Sequence, residues 1–123
     1  MKRGIVVLLM VAAFAGCKKD KGDTIKPVIN VTSPTANQQF SPGQVINITA
    51  AISDNAELHD IGLSITNKGT NAELVHNHYH VDVSSYTLND TYTAGAGITY
   101  RIKIEATDHS GNKSETEFEV KGN

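Results

Sequence analysis

Apolar side chains recur along this chain at every second position, the spacing that gathers them on one face of a β-strand. Ile46, Ile48, Ala50 and Ile52 share a face near 44–53, and Ile61, Leu63 and Ile65 alternate with Gly62, Ser64 and Thr66 over 58–66. Tyr100, Ile102, Ile104 and Ala106 alternate with Arg101, Lys103, Glu105 and Thr107 over 98–107. Thr116, Phe118 and Val120 alternate with Glu115, Glu117 and Glu119 over 113–121. Ile29 and Val31 mark a segment at 27–32, and Val75, Tyr79, Val81 and Val83 another at 72–83. The segment 85–93 carries the weakest alternation. Between the segments stand turn formers: Ser33-Pro34, Ser41-Pro42-Gly43, Asn67-Lys68-Gly69, Gly95-Ala96-Gly97 and Ser110-Gly111-Asn112. No stretch carries an apolar stripe at helical spacing. Seven short strands with mixed alternation predict an all-β, immunoglobulin-like antiparallel β-sandwich.

The N-terminus follows a different rule. Lys2 and Arg3 precede an apolar run of about ten residues that ends in Phe14-Ala15-Gly16-Cys17. A bilayer-spanning helix needs roughly 20 apolar residues, so the run is too short to remain as a membrane span. It resembles a bacterial lipoprotein signal, with Phe14 where Leu is commonest. The resemblance implies cleavage before Cys17, lipidation of its thiol and anchoring to a membrane by two or three acyl chains, each buried CH₂ contributing about 0.8 kcal/mol. The alternative is an ordinary secreted protein with a free Cys near its start. The expected organisation is a signal peptide at 1–16, a lipidated polar tether at 17–26 and one sandwich domain at 27–123. The charged start Lys18-Lys19-Asp20 resembles export tags of outer-membrane lipoproteins, although those tags are usually more acidic, and a solvated linker reads equally well. The expected location is the cell envelope, at the outer membrane and facing the cell surface.

Removing residues 1–16 from the 123 leaves 107, enough for one modest core. The loss of Lys2 and Arg3 leaves nine Lys and Arg against thirteen Asp and Glu. No basic patch points to nucleic acid. The single Cys of the chain is the lipidation candidate, so disulfides and thiolate ligands are excluded from the domain.

Three stretches carry a family resemblance: Pro27-Val-Ile-Asn-Val-Thr-Ser-Pro34, Ile48-Thr-Ala-Ala-Ile-Ser-Asp54, and Tyr100-Arg-Ile-Lys-Ile-Glu-Ala-Thr-Asp108 followed by Gly111-Asn112. They resemble bacterial immunoglobulin-like modules, and most of all a small lipoprotein family classed only as a domain of unknown function. The resemblance implies a fold and a location, not a substrate. Tyr100 either fills the core or bonds backbone through its hydroxyl at a strand corner.

The distinctive chemistry is histidine. His76, His78 and His80 occupy alternate positions of Leu74-Val-His-Asn-His-Tyr-His-Val-Asp82. On a strand they project from one face, opposite Tyr79 and Val81, with neighbours about 6.5–7 Å apart. Neutral imidazole suits zinc, copper or nickel, and such an ion needs further ligands. In an immunoglobulin-like order the loops bearing His59 and His109 arrive at the same pole as His80 and Asp82, with Asp54, Asp60 and Asp108 nearby. The competing reading is a solvated strand rich in His whose rings partner Ser, Thr or carboxylates, and a third is pH sensing. Asp54, Asp108 and Asn112 form a second, calcium-type candidate, against the simpler role of such residues in bonding turn backbone. Catalytic signatures are missing: there is no phosphate loop, no Gly-X-Ser-X-Gly turn and no His-Glu-X-X-His helix. The expectation is a lipid-anchored binding or interaction module without catalysis, its partner an envelope protein or glycan. The alternative is a zinc- or copper-binding lipoprotein built on the His strand.

Overall fold

The computed structural model describes residues 22–123, so the signal segment and Cys17 lie outside the described residues. Eight strands run in chain order: β1 (Val28–Ser33), β2 (Gln39–Phe40), β3 (Val45–Ser53), β4 (Leu58–Asn67), β5 (Glu73–His80), β6 (Ser85–Thr93), β7 (Thr99–Asp108) and β8 (Lys113–Gly122). They form two sheets, β1-β3-β6 and β2-β8-β7-β4-β5. The protein is therefore an immunoglobulin-like β-sandwich, as the alternation predicts. Among the described residues no helix is long and apolar enough to cross a membrane.

The inward faces are the ones the period of two picks out. Ile46, Ile48, Ala50, Ile52 and Leu88 from the smaller sheet meet Ile61, Leu63, Ile65, Tyr100, Ile102, Ile104, Ala106 and Val120 from the larger, all buried. Fully burying a side chain of this kind stabilises the fold by about 1.5–3 kcal/mol. The outer faces of β7 and β8 are charged, and Arg101–Glu117 (3.3 Å) and Lys103–Glu105 (3.0 Å) pair there. Such exposed pairs stabilise little.

One element matches expectation despite a faint pattern, and one is additional. β6, the segment of weakest alternation, is a full nine-residue strand that pairs with β3 along its whole length, from Val45↔Thr93 to Ser53↔Ser85. Partner strength, not its own pattern, makes it a strand. β2 is new: Gln39 and Phe40 pair in parallel with Lys121 and Gly122, and Phe40 is buried. Two residues are too few to show an alternation.

Tyr100 turns out to do both things proposed for it. Its ring is buried and meets Tyr92 edge-on at 5.4 Å, and its hydroxyl accepts the Gly95 N–H at 2.7 Å. The corner before β7 is thus tied to the core by one side chain.

The open flank between β5 and β6 is closed by a second tyrosine. Tyr79 donates its hydroxyl to the Asp90 carboxylate at 2.7–2.8 Å. Burial and the Asp90 bond push the Tyr79 phenol up to about 12. A raised folded pKa means that the folded state favours the neutral phenol. Its stabilisation is complete below the unfolded value near pH 10 and is lost as pH rises toward 12. In an ultraviolet titration one of the four tyrosines should ionise about two units late. In Tyr79→Phe that late step should vanish. A late step that survives the substitution would assign it to another tyrosine.

Candidate functional site

The chemistry gathers where three loops meet, at the end of the sandwich that carries the start of β4, the end of β5 and the β7–β8 turn. A β-bulge sets it up. Leu58 pairs with Asp108 and Asp60 with Thr107, so His59 is the extra residue. Bulges re-aim a side chain: without this one His59 would follow the inward phase of Ile61. Instead Leu58 takes the buried position and His59 is only partly covered. On the other side of β4, the His59 carbonyl accepts the Val81 N–H at 2.9 Å, which carries β5 past its last paired residue and brings Asp82 to the pole.

Two His–Asp pairs flank His59. On one side His109 Nε2 lies 2.9 Å from Asp82 Oδ1, and the His109 ring centroid is 4.6 Å from that of His59. On the other, His80 Nδ1 lies 3.2 Å from Asp60 Oδ1, and the His80 ring meets His59 edge-on at 4.5 Å. Asp60 also contacts His78 Nε2 at 3.2 Å and His59 Nε2 at 3.6 Å. Burial pushes the Asp60 carboxyl up, but the His80 bond and the charges of His59, His78 and His80 outweigh burial and hold it below its ordinary value. His59 Nδ1 is buried and has no hydrogen-bond partner among the described residues. A buried ring nitrogen without a partner is a costly feature in a finished structure.

Both sets, His59-Asp82-His109 and His59-Asp60-His80, place one donor atom per residue within 4.8 Å of one another. Ligands of one tetrahedral zinc are about 3.3 Å apart, given bonds of about 2.0–2.1 Å. The remaining closure is a matter of side-chain rotation at His80 and His109, which are 58% and 44% exposed.

The alternate-position histidines therefore divide. His80 belongs to the cluster, His78 reaches it only through Asp60, and His76 sits apart beside Glu73 at 3.5 Å. The centre is His59, one of the two accessory candidates, and His109 joins it. A bulge leaves no mark in an alternation pattern, so the prominence of His59 was not readable from spacing.

Asp108 and Asn112 have a turn role. Asp108 Oδ1 accepts the N–H groups of Ser110 (2.9 Å) and Asn112 (2.8 Å), and the Asn112 amide donates to Asp108 Oδ2 (2.8 Å) and to the Asp23 carbonyl (2.7 Å). The Asn112 amide nitrogen is thus a brace and not a ligand. Asp54 lies beside Asp108, and Asp23, not a candidate ligand in the sequence, completes their group. Asp23 falls in the polar segment expected to be a tether.

The fold is shared with solved structures. Fibronectin(III)-like modules of Clostridium thermocellum CbhA match at 22% identity and TM-score 0.52, covering 77% of this chain and 94% of theirs. A superoxide reductase (neelaredoxin) from Ignicoccus hospitalis matches at 12% identity and TM-score 0.55, covering 84% of this chain and 89% of its own. At these identities the likeness concerns architecture alone. No curated protein matches the sequence. A family model does, over residues 15–121, nearly the whole sandwich and the Cys17 region before it, and the chain belongs to that family, a domain of unknown function designated DUF4625.

Proposed function

We propose that this protein is an envelope-anchored immunoglobulin-like module that binds one first-row transition-metal ion, zinc or copper, at its loop pole. One observation carries the reading: two His–Asp pairs, Asp60–His80 across β4 and β5 and Asp82–His109 from the loops beyond, converge on His59, whose Nδ1 is buried and has no partner among the described residues. Imidazole nitrogen with carboxylate oxygen is the donor set of zinc, and copper accepts it too. Asp60 and Asp82 supply negative charge beside the rings and hold them in orientation. The bulge supplies a rigid first ligand, and the exposed His80 and His109 supply a way in.

The test is calorimetric titration of zinc and of copper into the full-length chain in detergent and a non-chelating buffer. One ion per chain with sub-micromolar affinity supports the reading. Binding weaker than about 0.1 mM for both would refute it, since a preformed set of three ligands should do better.

The anchor is a separate part of the proposal and rests on the Lys2-Arg3 start and the Phe14-Ala-Gly-Cys17 ending. Cys17→Ala should abolish incorporation of labelled fatty acid into the protein, because the Cys17 thiol is the acyl acceptor this reading assigns. Undiminished labelling of that variant would refute lipid anchoring at Cys17.

A further inference from the structure

A second group of ligand-type side chains sits at the same end of the molecule but in the inward phase of the strands. Asp108 continues the buried series Ile102, Ile104, Ala106 and is 2% exposed, and Asp54 continues the series Ile48, Ala50, Ile52. Asp23 comes from the segment before β1. One oxygen from each carboxylate lies within 4.8 Å of the others.

Acidic residues crowd together on many surfaces without meaning. These differ in two respects. Asp23 Oδ2 and Asp54 Oδ1 are wholly buried and have no hydrogen-bond partner among the described residues. Nor does any Lys, Arg or His among the described residues pair with Asp23, Asp54 or Asp108. Two buried carboxylate oxygens without a hydrogen-bond donor, beside a third carboxylate, concentrate negative charge, and burying such charge is costly unless something positive joins it.

The other oxygens are spoken for. Asp23 Oδ1 accepts Ile25 N–H and the Asn55 amide, both at 2.9 Å, and Asp54 Oδ2 accepts Ala56 N–H at 3.1 Å. Asp108 Oδ1 accepts Ser110 and Asn112 N–H. Asp23 and Asp54 are thus each held by one oxygen and keep the other without a partner among the described residues, while Asp108 Oδ2 also accepts the Asn112 amide. Oxygens that bind one calcium ion at about 2.3–2.6 Å lie at most roughly 5 Å apart, which this group satisfies. All-oxygen donors suit a hard cation, unlike the imidazole-bearing pole.

We propose that Asp23, Asp54 and Asp108 form a binding site for a hard divalent cation of the calcium class, which fastens the segment around Asp23 onto the sandwich. The ion bridges three separate parts of the chain: the approach to β1, the β3–β4 loop and the end of β7. It is independent of the zinc or copper site. Asn112 supports it from outside by holding the Asp23 carbonyl. The site sets where the chain that leads to Cys17 leaves the domain, and so the orientation of the module on its anchor.

The test uses the full-length chain in detergent, stripped with EGTA and titrated with calcium alone, read by calorimetry and by Tm. Calcium should bind with a Kd of about 10⁻⁴–10⁻³ M or tighter, the range of extracellular modules. At saturation Tm should rise by at least about 5 °C. Asp23→Asn and Asp54→Asn should each weaken calcium at least about tenfold. In EGTA both variants should melt at or above the wild type, because each relieves the carboxylate repulsion. Zinc titration of the same variants should be unchanged, which separates this site from the histidine pole. A wild-type Tm that moves less than about 1 °C in ~10 mM calcium overturns the proposal. So does calcium binding that both Asn variants retain. Asp23 lies outside every strand, so Asp23→Asn keeps the test decisive even if Asp54→Asn fails to fold.

Discussion

His59→Ala should abolish tight transition-metal binding, lowering zinc affinity at least about 100-fold, while His76→Ala changes it by less than about threefold. Losing only an outer partner of a metal ligand costs 10–100-fold in affinity, and His59 belongs to both candidate ligand groups. His76 contacts Glu73 and belongs to neither. The variant should fold. With no metal added, its stability should stay within about 1 kcal/mol of the wild type, because the substitution removes a buried nitrogen that has no partner among the described residues. This combination separates a ligand from a structural histidine, which would lose stability and leave metal binding in place. Binding should also weaken on acidification, since protons compete with the ion for the imidazole nitrogens. Calorimetry of the two variants at pH 7.5 and 5.5 checks both statements.

Tyr100→Ala should be the most damaging single substitution in the core, costing about 3–5 kcal/mol. The side chain is among the largest fully buried ones, packs against Tyr92 and carries the bond from Gly95. A domain of this size has about 5–15 kcal/mol in total, so Tm should fall by roughly 15 °C or more. Tyr100→Phe keeps the ring and should cost only about 0.5–1.5 kcal/mol, the worth of one hydrogen bond. Denaturant melts of the pair divide the packing from the corner bond. Equal losses in the two variants would mean that the hydroxyl, not the ring, carries the effect.

Most of the sandwich was legible because its core strands are buried on one face only. Ile46 to Ile52, Ile61 to Ile65 and Tyr100 to Ala106 each show the period of two without interruption, and each is buried as that period requires. β6 was faint because Tyr86, Leu88, Asp90 and Tyr92 share its inner phase, and Asp90 breaks the apolar series. The break has a use: Asp90 receives the Tyr79 hydroxyl at the open flank. The partner of β5 was not readable either, since alternation shows which face is apolar but not which strand lies alongside; β5 pairs with β4 from Asp60↔His80 to Thr66↔Glu73.

The site was half legible for a related reason. Loop order brought His59, His80, His109 and Asp82 to one pole on paper, and the structure joins them there. Spacing along β5 gave His76 and His78 the same weight as His80, because a strand pattern cannot say where the strand ends relative to its neighbours. Asp23 had no pattern around it at all: its partners Asn55 and Asn112 are 32 and 89 residues away. Contacts that distant exist only once the sheets have closed.

The most direct measurement is anomalous diffraction at the zinc edge from crystals grown with one equivalent of zinc. The expected result is a single strong peak within bonding distance of His59 and of His80 or His109, with Asp60 or Asp82 as the neighbouring oxygen. A peak on His76 and His78, or no peak at His59, would contradict a metal-binding pole.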